Sequence, residues 1–122
     1  MRPLVLCADD DEDILDLVGL RLELAGYEVE KVRDGDAALA ALRRRRPAVA
    51  VIDVMMPRRN GLEVLSDLRA DPVLNDVKVV LLSARVQETD VDLGFDAGAD
   101  AYLKKPFRAS ELVGVIESLL SR

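Results

Sequence analysis

Short unbroken apolar runs alternate along this chain with longer stretches in which apolar residues recur every three or four positions. The first run, Leu4-Val5-Leu6-Cys7-Ala8, has the length and character of a strand buried on both faces. Past an acidic block, Ile14, Leu17, Val18, Leu22 and Ala25 keep helical spacing, and Gly26 is placed to end that helix. Tyr27 to Val32 largely alternates, which predicts a half-exposed strand at a sheet edge. Asp34 or Asp36, flanking Gly35, can start a second helix through Ala37, Ala38, Leu39, Ala41 and Leu42. That helix runs into Arg43 to Arg46 and stops at Pro47. Ala48 to Asp53 is the third apolar run, and Pro57 and Asn60-Gly61 punctuate the loop after it. A third helix is predicted from about Leu62 to Ala70, ended by Asp71-Pro72. Lys78 to Leu82 makes a fourth strand, running out at Ser83-Ala84. Residues 86 to 97 read as a weaker helix with a mixed face, and Ala101 to Leu103 as a short fifth strand ending at Lys104-Lys105-Pro106. A last helix sets Leu112, Val115, Ile116, Leu119 and Leu120 on one face.

Strands alternating with helices in this way predict an α/β fold, a parallel sheet covered on both faces by right-handed crossovers. The first, third and fourth strands are apolar throughout and belong in the centre; the alternating second and the short fifth belong at the edges. The order 2-1-3-4-5 satisfies this, giving a flavodoxin-like (βα)5 three-layer sandwich. No Ser/Gly-rich linker, repeat or low-complexity segment interrupts the pattern, so residues 1–122 are read as one domain.

Charge and composition narrow the function. With 17 basic and 23 acidic residues the net charge is −6, which argues against broad nucleic-acid or membrane binding. Arg43 to Arg46 do not reverse this: arginines at a helix C-terminus complement its dipole, and no aromatic residues interleave them. The chain has no histidine and one cysteine, which removes His-based triads and structural zinc sites. Cys7 lies inside an apolar run and is expected to be a buried, inert thiol. No apolar run approaches the roughly 20 residues that span a bilayer, and Met1-Arg2-Pro3 does not open a signal peptide, so a cytoplasmic protein is expected.

In a parallel sheet all strand carboxyl ends share one edge, and ligands bind where the connections diverge, here between strands one and three. Asp9 and Asp10 follow strand one, Asp53 ends strand three, and Ser83 and Lys105 follow strands four and five. Each taken singly has an ordinary explanation as a helix cap, a turn residue or a solvated lysine; together on one rim they do not. Carboxylates crowded together repel unless a cation sits among them, and a hard divalent ion such as Mg²⁺ suits an oxygen-only site. A carboxylate nucleophile beside a divalent cation and a lysine is equipped for phosphoryl transfer, with an acyl phosphate on Asp53 as product.

These residues carry a resemblance. Val5 to Asp11, Ile52-Asp53-Val54-Met55-Met56-Pro57, Leu81-Leu82-Ser83-Ala84 and Gly98 to Phe107 together resemble the receiver (CheY-like) domain of bacterial two-component response regulators, over essentially the whole chain. The resemblance implies a phosphorylation-dependent signalling switch in which Asp53 accepts a phosphoryl group from a sensor histidine kinase or histidine phosphotransfer protein. It implies Mg²⁺ held by Asp9, Asp10, Asp53 and the backbone carbonyl of Met55. Ser83, Lys105 and the Ala84 N–H would bind the phosphoryl oxygens, and the Lys105–Pro106 bond would be cis. Phosphorylation would draw Ser83 inward and Tyr102 after it, altering the surface of the fourth and fifth predicted helices and the fifth strand for an effector protein or domain. The alternative for Tyr102 is an edge aromatic half-buried against the last helix. The resemblance implies self-catalysed phosphotransfer and dephosphorylation rather than turnover of a substrate.

Some positions depart from the usual receiver pattern. Ser83 stands where threonine is more usual, Ala101 replaces a frequent acid, and the last helix carries Val113 and Val115. That face is more apolar than in family members that dimerise through charged pairs, which counts against that dimer and leaves a hydrophobic partner surface or core packing of one of the two valines as alternatives. A monomer or a phosphorylation-dependent dimer through the fourth helix, fifth strand and fifth helix is the expectation. Two rivals fit less well. A flavodoxin-like or nucleotide-binding module needs a glycine-bearing phosphate loop after strand one, where this chain has Asp9 to Asp13. A phosphatase of the haloacid dehalogenase type carries its nucleophile on strand one in an Asp-x-Asp pattern, which Asp9 and Asp11 match only formally. The output is either a partner bound by this chain itself or an effector domain, in which case the chain is the N-terminal receiver fragment of a DNA-binding transcriptional regulator.

Overall fold

The structure is a computed structural model that describes residues 2–84 and 98–121. Strands β1 (Leu4–Ala8), β2 (Glu28–Val32), β3 (Val49–Asp53), β4 (Lys78–Ser83) and β5 (Ala101–Lys104) form one sheet in the order β2-β1-β3-β4-β5, as the apolar pattern predicts. Every neighbouring pair is parallel, with Ala8 opposite Ile52 and Asp53 opposite Leu82. Four helices are described: α1 (Glu12–Leu24), α2 (Gly35–Arg44), α3 (Gly61–Ala70) and α4 (Ala109–Leu120). The predicted helix over 86–97 lies outside the described residues.

Side-chain alternation along the central strands divides the core in two. Leu6, Ala50, Ile52, Val79 and Leu81 pack with Leu39 and Leu42 of α2 and Val64, Leu65 and Leu68 of α3. Val5, Cys7, Val49, Val51, Val80 and Leu82 pack with Leu15, Val18 and Leu22 of α1 and Leu112, Ile116 and Leu119 of α4. Burial pushes the Cys7 thiol up to about 12, against the charge of Lys31, so the thiol stays protonated and unreactive at neutral pH. Val113 and Val115 are half-buried and pack against the α4 side of this core.

The buried stripe of α1 differs from the expected one. Leu15, Val18, Gly19 and Leu22 face the sheet, whereas Leu17 is 54% exposed and Ala25 is exposed. Leucines at 15, 17, 20, 22 and 24 surround this helix, so more than one stripe has helical spacing, and contact with the sheet selects one of them.

Local chemistry sets the helix starts. Asp11 caps α1 by accepting from the Asp13 and Ile14 N–H groups, and Asp34, of the two candidates, caps α2. Asn60 and Glu63 form a reciprocal capping box that starts α3 at Gly61, one residue before the predicted position. At the opposite sheet edge, Arg44 pairs with Glu30, Arg45 with Glu28 at 2.7 Å and Arg46 with Asp76 at 3.4 Å. No described helix is long and apolar enough to cross a membrane.

Candidate functional site

Among the described residues, the buried polar ones are Asp9, Asp53 and Ser83, at 2%, 4% and 1% exposure. A polar group is expensive to bury in an apolar sheet, so three of them at strand ends need a reason. All three lie at the carboxyl edge of the central strands. Asp9 follows β1, Asp53 ends β3 and Ser83 ends β4.

Asp9 is fixed through both its backbone and its side chain. Its N–H donates to the Val32 carbonyl at 3.1 Å, and its Oδ1 accepts from the Asp11 N–H at 2.9 Å. Asp10 is exposed, at the mouth of the site. Asp9, Asp10 and Asp53 each offer a carboxylate oxygen, and these oxygens lie within 4.8 Å of one another. Three hard oxygen donors so close together fit a divalent cation of the magnesium or calcium kind, and the described residues therefore contain a cluster able to hold one.

Lys105 reaches into the same space. Its Nζ lies 2.8 Å from Asp9 Oδ2 and 3.2 Å from Asp53 Oδ2, bridging the carboxylates from β1 and β3. Its backbone N–H donates to the Ser83 carbonyl at 2.8 Å, which ties the chain after β5 to the end of β4. The Lys105–Pro106 peptide is cis, as the resemblance implies. Burial disfavours the lysine's charge, but its hydrogen bond to Asp9 and the charges of Asp53 and Asp9 outweigh that and hold its pKa above the usual lysine value.

One lysine does not balance the acids. Burial pushes the Asp53 carboxyl up to about 6, and the charge of Asp9 adds to the rise. Lys105 and the Met55 N–H, which donates to Asp53 Oδ1 at 3.3 Å, oppose it. Asp53 is thus a buried carboxylate short of positive charge, a state that a bound cation would relieve.

The remaining candidates are distributed around this centre. Met55 lies two residues past Asp53, with its side chain 58% exposed. Ala84 is exposed and lines a cavity of about 290 Å³ with Ile14, Leu17, Lys105 and Phe107. Tyr102 lies opposite Leu81, two residues before Ser83 on β4, and is half-buried. It packs with the core cluster of α2 and α3, so the alternative placement against the last helix does not hold. Strand parity puts Tyr102 on the face of Leu81, away from that helix.

Four further residues shape the site or its support in ways the sequence analysis did not assign to them. Gly35 and Gly61 admit close backbone approaches, and Arg59 joins two helices. Arg69 donates to the carbonyls of Gly98, Asn75 and Val77 and pairs with Asp100 at 2.9 Å. The Asn60-to-Glu63 spacing was a readable start signal that would have moved Gly61 to the first turn of its helix. Nothing local to Arg69 announces that it joins the Asn75 and Val77 carbonyls to Gly98 and Asp100, far along the chain.

Residues 5–117 match the family described as the response regulator receiver domain. The chain is 38% identical over 122 residues to the DNA-binding response regulator MtrA of Mycobacterium tuberculosis, covering 100% of this chain and 52% of that protein. It is 44% identical over 120 residues to the transcriptional regulatory protein PrrA of Mycobacterium bovis, covering 98% of this chain and 51% of that one. The chain thus spans about half the length of these curated relatives. Its fold superposes on the crystal structure of a putative response regulator from Chloroflexus aurantiacus with a TM-score of 0.94 at 31% identity, covering 100% of both chains. With this match over nearly the whole sequence, and with the acidic strand-end cluster it accompanies, the chain belongs to the response regulator receiver domain family.

Proposed function

We propose that this chain is a phosphorylation-dependent switch that takes its phosphoryl group on Asp53. The observation that carries the reading is the burial of Asp53 and Asp9 around the Lys105 ammonium, with an oxygen of Asp10 also within metal-sharing distance. Asp9, Asp10, Asp53 and the Met55 carbonyl are the residues that would hold Mg²⁺. When bound, the ion supplies positive charge to neutralise the transferring phosphoryl group.

The chain's own part is positioning. An Asp53 carboxylate oxygen attacks phosphorus as the bond from phosphorus to the donor's imidazole nitrogen breaks, and that nitrogen keeps the electron pair. Lys105, Ser83 and the Ala84 N–H bind the phosphoryl oxygens, which requires the lysine to exchange part of its hold on the two acids for the new dianion. Ser83 moves inward and Tyr102, on the same sheet face, follows it. The surface that includes β5 and α4 then changes its preference for an effector.

The donor is a sensor histidine kinase or a histidine phosphotransfer protein. The domain catalyses its own phosphorylation and dephosphorylation and turns over no other substrate. A second reading of the output has specific support. Two relatives that this chain spans for about half their length are named as DNA-binding or transcriptional regulators, so it fits as the N-terminal receiver part of such a regulator. In that arrangement nucleic acid is contacted by the effector domain and not by this one, and phosphorylation controls monomer and dimer through the β5–α4 face.

The test is labelling by acetyl phosphate with Mg²⁺, followed by intact mass. The wild-type chain is expected to gain one phosphoryl group, and Asp53→Asn none. Labelling of Asp53→Asn at the wild-type rate would sink the assignment.

A further inference from the structure

We infer that Gly35 and Arg59 are positioning residues for the metal-binding loop: α2, which brings no side chain to the acid cluster, holds the loop after Asp53 in its working shape. This rests on the proposed metal-dependent reading of Asp53 and Met55.

The observations converge on residues 54–60. A Cβ added at Gly35 would lie 1.9 Å from the Arg59 carbonyl oxygen and 2.6 Å from its carbonyl carbon. Both are backbone atoms, so relief requires the loop and the start of α2 to move apart. The Gly35 N–H also faces the Pro57 carbonyl at 3.4 Å. That carbonyl accepts from the Arg59 N–H at 2.8 Å, closing a tight turn over Arg58. Arg58 has φ of 69°, a left-handed conformation that a non-glycine residue holds only when its surroundings impose it. The Arg59 guanidinium then ties the loop to Asp36 of α2, at 3.2 Å, and to Asp67 of α3.

The near end of the loop is equally confined. A Cβ at Gly61 would lie 2.4 Å from the Asp53 carbonyl oxygen, and the Gly61 N–H donates to the Val54 carbonyl at 2.9 Å. Between these two fixed points stands Met55, whose N–H already contacts the Asp53 carboxylate. A shift of the loop at Arg59 is therefore passed to the residues next to the nucleophile. Helix propensity alone does not explain Gly35, because alanine would favour α2 at that position.

The experiment is Mg²⁺ affinity by isothermal titration calorimetry, with melting temperature measured on the same samples. Gly35→Ala and Arg59→Ala are expected to weaken Mg²⁺ binding about 10-fold, the scale of lost support around a metal site. Gly26→Ala is the control. Gly26 has φ of 101° with no atom within 4 Å of an added Cβ, so that variant should lower the melting temperature and leave Mg²⁺ affinity unchanged. Wild-type affinity in Gly35→Ala, or equal weakening in Gly26→Ala, overturns the clamp. If Gly35→Ala does not fold, Arg59→Ala decides, and wild-type affinity there overturns it. Absence of Mg²⁺ binding by the wild-type chain would instead overturn the metal reading and the clamp with it.

Discussion

The two edges of the sheet treat charge in opposite ways. At the amino edge, acids and arginines are matched. Glu28, Glu30 and Asp76 each meet an arginine from the end of α2 or the residues just after it, and Asp100 meets Arg69. Asp100 also accepts from the Val79 N–H at 2.8 Å, so it ties β4 to the approach to β5. At the carboxyl edge, Asp9 and Asp53 share Lys105 while Asp10 adds a third carboxylate beside them, and the central carboxyl is pushed up to about 6. In the first arrangement every acid is balanced, and the half-buried Arg69–Asp100 pair holds segments together. The second opposes folding, and it leaves the edge able to take up a cation and a phosphoryl group. In this molecule the site is recognisable as the place where electrostatics and stability conflict.

Breaking the matched edge should have the largest effect. Arg69→Ala removes a half-buried cation from Asp100 and three carbonyls, and is expected to cost about 3 kcal/mol of stability. Urea denaturation measures it, and Mg²⁺ affinity should stay near wild type. A loss confined to Mg²⁺ affinity would erase the distinction between the edges.

The unmatched edge should respond with the opposite sign. Asp53→Asn keeps the shape and removes the buried charge, so the metal-free fold should gain about 2–3 kcal/mol at neutral pH. The sign follows from linkage. Asp53 binds a proton more tightly folded, near 6, than unfolded, near its ordinary 3.8. Its ionisation therefore costs stability progressively as pH rises from about 4 through about 6, and the cost is full above that. The stability advantage of Asp53→Asn should be absent at about pH 4 and complete by about pH 7, and Mg²⁺ should shrink it. A constant difference across that range would show that Asp53 is not the strained group.

The smallest effect belongs to the surface pairs of the matched edge. Arg45 is half exposed, so Arg45→Ala should leave the denaturation midpoint unchanged within error. A loss rivalling that of Arg69→Ala would mean that the pairs after α2 act as a network rather than singly.

Much of this was legible in the chain. Apolar runs without alternation marked β1, β3 and β4 as central, and a parallel sheet then brought Asp9, Asp53, Ser83 and Lys105 to one edge. These features are local or follow from topology alone, so a linear pattern can carry them. The buried stripe of α1 was not legible, because its leucines are spread around the helix and only the sheet chooses among them. The roles of Arg69 and Arg59 were not legible either, since their partners lie elsewhere in the chain.

By itself, then, the sequence determined the order of the strands, the edge at which chemistry gathers and the residue types present there. Hydrophobic periodicity and strand-end placement suffice for that. Only the tertiary structure decided that Lys105 lies between Asp9 and Asp53, that Asp53 is short of positive charge, and that Gly35 leaves no room beside Arg59. These are distances between segments far apart in the chain, set by how helices and loops pack on the sheet, and no periodicity along the chain encodes them.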